Sequence, residues 1–528
     1  MVGEGRAEAT GSVVAALLAL GAGGILIPVA VTGIPLIGPD NFIALKNVCL
    51  VTSAAAAAAA YAFGKRSGAV DVVAAMATLF VISSITSAVL SINRWDAALA
   101  VFVSASSAAI FITSRALACA GYRRPIQIIV VVAIAIVWLT ALLEAYTSFS
   151  FSERMPGGLV GNRNRMAHAT VLGLPMLCSL MLETTRGRLP VMGLLVGGSG
   201  IAITLSRSRG AWLAIGVMIA VFTIIEVLLR LRRKKYQPGI RRQATARSIF
   251  VALCLCGGCA IAVGVPNTLK WTDERPYKDS LLRIADYRNG TGAERVAEMR
   301  LATELVVARP LVGWGPGNWR TIVPAFTGQA DEFKRFPQGE WIGIAAERGL
   351  LAFFLLLGIF LALGRAWVLQ LRNGTDTRLA IGGLVTTAGI AAIGVVDPLL
   401  ATPTGAFLVP LILACYAPRP AIWVRRIGRA SQRRIAFATL GLGVTAIGAH
   451  GVDVAAVYVA TAVSREGFGR SAVLSPYNYD VRIFSATRHL EDGDCGRALP
   501  HLAIAGHLRP FAREPSILAL RCRVSLLR

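Results

Sequence analysis

The chain of 528 residues is 55% hydrophobic and 16% charged, with a mean hydropathy of +0.62, which excludes an ordinary soluble globular domain and makes lipid its main solvent. Its net charge of +25 does not point to nucleic acid, because the basic residues sit in short connections between apolar runs rather than on a soluble face.

Apolar runs long enough to cross ~30 Å of hydrocarbon recur from Gly11 to about Ala460. They predict an all-α fold, a polytopic membrane bundle of about thirteen helices. The spans fall near 11–32, 42–63, 70–92, 98–117, 126–145, 166–183, 191–206, 209–229, 249–266, 341–363, 379–397, 403–417 and 435–460. The first run follows Glu4, Arg6 and Glu8 rather than a positively charged leader, so it is read as a span and not a signal peptide.

The basic clusters are Lys65/Arg66, Arg123/Arg124, Arg186/Arg188, Arg230 to Lys235 with Arg241/Arg242, Arg365/Arg372/Arg378, and Arg425 to Arg434. They fall in alternate connections, which the positive-inside rule assigns to the cytoplasm of a bacterial inner membrane. An odd number of spans then leaves the N-terminus cytoplasmic and the remaining loops and the C-terminal tail periplasmic. Two units result: a membrane bundle over 1–460, including a large periplasmic loop at 267–340, and a short helical tail over 461–528.

Cys254, Cys256 and Cys259 lie inside an apolar run, where small thiols are packing residues rather than a metal site. Only Cys495 and Cys522 fall in the outer tail, where an oxidising compartment would allow them to pair.

In the large loop, Glu294 to Ala308 has helical spacing, with Val296, Met299, Ala302, Leu305 and Val306 on one side, and Arg309-Pro310 ends it. The Gly/Pro-rich turn GWGPGNW follows, from Gly313 to Trp319. This is the pattern of a folded loop rather than a linker. In the tail, SPYNYD precedes two helical runs, ending at Leu490 and Leu508 and separated by an EDGD turn. Ala486, Ala498, Leu502, Ala505 and Pro510 have the spacing of a tetratricopeptide helix pair, a unit that needs a neighbour to bury its face.

Charges at the membrane boundary are costly and mark candidate sites. Gly161-Asn162-Arg163-Asn164-Arg165 offers two guanidinium groups and two amides that suit phosphate oxygens. Ser206-Arg207-Ser208-Arg209-Gly210 is a tight turn that sets arginines beside a helix N-terminus, against the positive-inside bias. Arg295 and Arg300 lie on the loop helix, and Gln338-Gly339-Glu340-Trp341 closes the loop. Together they suggest an external pocket for an anion.

The segments TLSRSRGAWLA, GNRNRMAHA, and ERVAEMRLATELVVARPLVGWGPGN followed by AAERGLL resemble the O-antigen ligase and O-antigen polymerase superfamily of membrane glycosyltransferases, in order, over residues 150 to 400. The resemblance implies an all-helical bundle with one large periplasmic loop. It also implies transfer of a glycan from undecaprenyl diphosphate to an acceptor sugar or lipid, with no metal, cofactor or nucleotide sugar. The family's SRGAW arginine matches Arg209 and the arginine opening its loop helix matches Arg295. On this reading Arg207, Arg163, Arg165, Asn162, Asn164, Arg300 and Gln338 contribute to substrate binding.

One departure stands out. Where the family carries a histidine shortly before the A-E-x-G-L stretch, this chain has Gln338, and the loop contains no histidine. Glu340 is the first candidate to take over as base or orienting group, with His168 as a further helper. The tail would serve polysaccharide-assembly proteins, which favours polymerase over ligase. The readings from other classes are a transporter of lipid-linked glycan, which should show symmetric broken helices, and a catalytically silent scaffold.

Overall fold

The computed structural model describes residues 2–30, 41–63, 69–147, 149, 155–183, 185–232, 238–271, 274–284, 286, 288, 290–327, 336–418, 425–426, 429–462 and 467–526. Lys65, Arg66, Arg233, Lys234, Lys235 and positions 31–32 of the first predicted span lie outside the described residues. The fold is all-helical, apart from one antiparallel pairing of the two-residue strands β1 (Ala69–Val70) and β2 (Arg425–Arg426).

A helix lies at each predicted span. The first five are α1 (Val2–Val29), α2 (Asn41–Phe63), α3 (Val72–Val89), α4 (Arg94–Leu117) and α5 (Arg123–Tyr146). Next come α6 (Arg163–Glu183), α7 (Leu189–Ser206), α8 (Arg209–Arg232) and α9 (Pro238–Gly264). The large loop holds α10 (Pro276–Leu282), α11 (Gly290–Ala308) and α12 (Trp319–Thr327). The bundle is completed by α13 (Glu340–Asn373), α14 (Thr377–Val396), α15 (Pro403–Tyr416) and α16 (Arg429–Ala462).

Among the described residues, ten segments are long and apolar enough to cross a membrane, against the thirteen expected. The difference has physical causes. One segment, Arg94–Tyr146, contains both α4 and α5, joined through a short π turn in which Gly121 has φ +100°. The polar first turns of α6 carry Arg163, Arg165 and His168. The 14 residues of α15 rise only about 21 Å at 1.5 Å each. All of α15 is buried, packed among α2, α4, α5, α6 and α14, so protein rather than lipid is its solvent.

Small residues set the helix spacing, as expected where lipid offers no hydrophobic drive between helices. Gly193, Gly197 and Gly200 on α7 face α9. A Cβ at Gly193 would lie 3.2 Å from Cys254 Sγ, and one at Gly258 would lie 2.1 Å from the Gly197 carbonyl oxygen. Cys254 is thus a packing residue, and Cys256 is exposed on the outside of the bundle.

The large loop is folded as the sequence predicts. Leu301, Ala302 and Leu305 of α11 pack with Trp319, Ile322 and Val323 of α12 and Ala346 of α13. The Gly-rich turn is laced to α13: the Trp314 and Gly315 N–H groups donate to the carbonyls of Ala346 (3.1 Å) and Glu347 (2.7 Å), and Leu350 N–H to Pro310 O (2.7 Å). This close approach needs Gly349, which has φ +83° and whose added Cβ would lie 2.1 Å from Leu311 O.

The tail comprises α17 (Gly467–Leu474), α18 (Tyr479–Glu491), α19 (Cys495–Leu508) and α20 (Glu514–Leu526). Ala486, Ala498, Leu502 and Ala505 are buried between its helices, Pro510 is exposed, and a disulfide joins Cys495 to Cys522. Asp480 of α18 pairs with Arg320 of the loop at 3.3 Å, and Arg509 meets Asp96 at 3.6 Å. The Arg320–Asp480 pair places the tail on the same end of the bundle as the large loop, where Trp95 Nε1–H also donates to Asp453 of α16 at 3.2 Å.

Two outcomes follow from this packing. Gly258→Ala forces α7 and α9 apart and should cost about 1–3 kcal/mol, read as a lower unfolding temperature in detergent. His501 in α19 is stacked on His489 and lies 3.2 Å from Arg482 Nη1. Burial, with Arg482 and His489 adding repulsion, pushes its pKa from 6.5 down to about 4. The unfolded tail therefore binds a proton that the folded tail refuses, and tail stability falls as pH drops from about 6.5 toward about 4. Limited proteolysis across that range should show the loss, and His501→Gln should flatten it.

Candidate functional site

The site is built where helix ends meet beneath the large loop. Glu144, fully buried near the end of α5, accepts the Gly158 N–H at 2.6 Å and fixes the segment leading to Asn162. Asn162 Oδ1 then accepts the N–H groups of Asn164 (2.9 Å) and Arg165 (3.4 Å), which starts α6. Arg163 and Arg165 thus fall in the first turn, and His168, 1% exposed, points inward from the second.

The second element is the SRSRG turn. Arg207 ends α7 in the left-handed region at φ +53°. The Ser208 N–H donates to Ser206 Oγ at 3.1 Å, and Ser208 Oγ accepts the Ala211 N–H at 3.4 Å, so Ser208 caps α8 and Arg209 opens it. Arg209 Nη1 donates to the Arg283 carbonyl at 2.7 Å. Arg207 Nε donates to Ser280 Oγ at 2.8 Å. Its guanidinium lies 4.7 Å from the Trp271 ring centre, with Arg163 on the same ring at 5.3 Å. Arg165 lies over Phe336 at 5.7 Å.

The third element is the loop helix. Arg295 Nη2 donates to both carboxylate oxygens of Asp397, at 3.3 Å, where α14 ends before Pro398. His168 Nε2 lies 3.5 Å from Asp397 Oδ2 and 3.4 Å from Ser208 Oγ. Arg209, Arg295, Gly210, Gly292, Ile284 and Val396 line one pocket. Two guanidinium groups, one carboxylate and one imidazole therefore converge from α6, α8, α11 and α14.

Other expected residues have different places. Glu340 is not a free base: it is 4% exposed, and one carboxylate oxygen accepts the N–H groups of Leu399 and, at 2.9 Å, Leu400. It holds the turn that follows Asp397. Gln338 is buried, its N–H donates to Glu298 Oε2 at 3.1 Å, and its side-chain Oε1 has no partner among the described residues. Arg300 is exposed and lines no part of the pocket. Asn164 serves the α6 cap through its backbone.

Residues 193–357 match the family model described as O-antigen ligase. Over that segment the chain is similar to the O-antigen ligase family. No curated protein matches the chain. The O-antigen ligase segment runs from α7 through the SRSRG turn and the whole loop into α13, so it carries Arg207, Arg209, Arg295, Gln338 and Glu340. Asp397, at the end of α14, and His168, on α6, lie outside it, yet Asp397 pairs with Arg295 and His168 lies 3.4 Å from Ser208. Sequence reasoning passed over Asp397, whose signal was an acid before a proline at the boundary where the unexplained arginines cluster.

Glu340→Gln keeps an oxygen for the Leu399 and Leu400 N–H groups and should retain transfer within a few-fold. Glu340→Ala strands those donors at about 1–3 kcal/mol each and should lower the unfolding temperature and activity together. A Glu340→Gln variant that folds normally but makes no product would restore Glu340 as base.

Proposed function

We propose that the protein is a metal-independent inner-membrane glycosyltransferase that moves a glycan from a polyprenyl diphosphate to an acceptor sugar or lipid during cell-surface polysaccharide assembly. The observation that carries this reading is the convergence of Arg209 and Arg295 on one pocket at the membrane boundary. Paired guanidinium groups match the diphosphate, the part of the donor on which charge develops.

In the proposed reaction an acceptor hydroxyl attacks the anomeric carbon of the donor. The bond from that carbon to the diphosphate oxygen breaks with its electron pair on the diphosphate, where Arg209 and Arg295 stabilise the charge. The hydroxyl proton passes to Asp397, which takes the role first assigned to Glu340. Arg163, Arg165 and Arg207 widen the positive rim that draws the donor in, Asn162 fixes the turn that carries Arg163 and Arg165 through the Asn164 and Arg165 N–H groups, and Gln338 offers its amide oxygen to the acceptor.

The basic ends of the other connections, including Arg123, Arg124, Arg372 and Arg378, support a cytoplasmic placement for that side. The loop and the tail would then be periplasmic, and the tail would receive assembly proteins as a tetratricopeptide-like unit. Its presence favours a polymerase.

In a deletion strain, Arg209→Ala and Arg295→Ala should accumulate lipid-linked glycan and cut product formation by about 10²-fold or more, with lysine at either position restoring part of it. Full complementation by both alanine variants would overturn the transferase reading.

A further inference from the structure

Asp397 is held by Arg295 on one side, at 3.3 Å. The proposed reaction asks it to accept a proton, so the groups on its other side matter. His168 stands there: its imidazole is 1% exposed, and Nε2 is 3.5 Å from Asp397 Oδ2 and 3.4 Å from Ser208 Oγ. The ring lies directly behind Gly210, a pocket residue: a Cβ added there would lie 3.2 Å from Nε2 and 3.3 Å from Asp397 Oδ2. The chain has five histidines, and the large loop contributes none.

We infer that His168 is the positioning and proton-storing partner of Asp397, and supplies from α6 the titratable group that the loop lacks at Gln338. This rests on the transferase reading. The acceptor proton moves to Asp397 as the new carbon–oxygen bond forms, and His168 Nε2 takes it up, leaving Asp397 ionised against Arg295. When the diphosphate product departs, the proton returns through Asp397 to solvent. The imidazole gains one proton and loses one per turnover, and no other reactant is needed.

Several features support the pairing. Ser208 restrains the ring from the cap of α8, so that the imidazole cannot turn away without losing a contact. The charged groups that face it are Asp397 from the end of α14, Arg295 from α11 and Arg165 from its own helix. Contacts of 3.4–3.5 Å are longer than a tight hydrogen bond and are of the kind that shorten when a substrate fills a site.

The test is steady-state transfer from a lipid-linked donor by purified full-length protein, as a function of pH. His168→Gln should leave the KM for donor within about two-fold while kcat falls about ten-fold or more, and the acidic limb of the rate profile should flatten. Asp397→Asn combined with His168→Gln should be no slower than the slower single variant, because the two act as a unit. If His168→Gln does not fold, Gly210→Ala provides the second variant: its methyl group presses on both partners and should lower kcat and shift the same limb.

A His168→Gln enzyme with wild-type kcat and pH profile would overturn the inference, as would additive losses in the double variant. An inactive Arg209→Ala control alongside an unaffected His168→Gln would leave the transferase reading standing and remove only the His168 role. If Arg209→Ala is also fully active, the transferase reading itself fails.

Discussion

Arg295 reaches from the loop helix to Asp397 at the end of α14, 3.3 Å away and 102 residues on, and this ion pair fixes the loop over the bundle. Both side chains are nearly out of solvent, at 13% and 10% exposure. Removing either partner would leave a poorly solvated charge, and a pair in that situation is expensive to break. The neighbouring residues conform to it. Gly210 has no room for a side chain, because a Cβ would lie 2.9 Å from Val396 Cγ2, and Glu340 pins the turn after Asp397 through the Leu399 and Leu400 N–H groups.

A charge pair of this kind requires a loop that does not drift, and the chain supplies one by backbone means. The run from Pro310 to Gly315 lies along the α13 turn at Ala346 to Leu350, with three backbone hydrogen bonds between them. Ser87 Oγ–H donates to the Glu347 carbonyl at 2.9 Å, and the Asn318 side chain bridges to the backbone of Asn93. The loop is thus tied to α13 through main-chain groups and to the start of α4 through the Asn318 side chain, and α13 is in turn tied to α3.

The sequence revealed the parts whose signal is local. Hydropathy located the helices, but it could not show that α15 is too short to span alone, since a buried helix and a lipid-facing one read alike. Periodicity marked α11 and its end at Arg309-Pro310. The arginines of the SRSRG and NRNR turns stood out because they oppose the charge bias of the connections. What escaped depends on pairing across the chain. Asp397 reads as an ordinary helix stop before Pro398 until Arg295 is seen against it. Glu340 reads as a free acid because its partners lie 59 and 60 positions away, and His168 reads as a packing residue because only the fold brings α6, α8 and α14 together.

On the proposed chemistry, the arrangement of the arginines matters as much as their number. Arg209 is held by the Arg283 carbonyl, Arg207 by Ser280 and the face of Trp271, and Arg295 by Asp397. Each guanidinium is therefore oriented by the protein before a diphosphate arrives. Charges fixed in this way need little reorganisation when negative charge moves onto a leaving group, whereas water or mobile lysines would have to turn toward it. The same fixing limits what the pocket can hold. Asp397 stands behind Arg295 and accepts from its Nη2, so an anion in the pocket meets Arg209 and the remaining donors of Arg295 while the carboxylate repels it from that side.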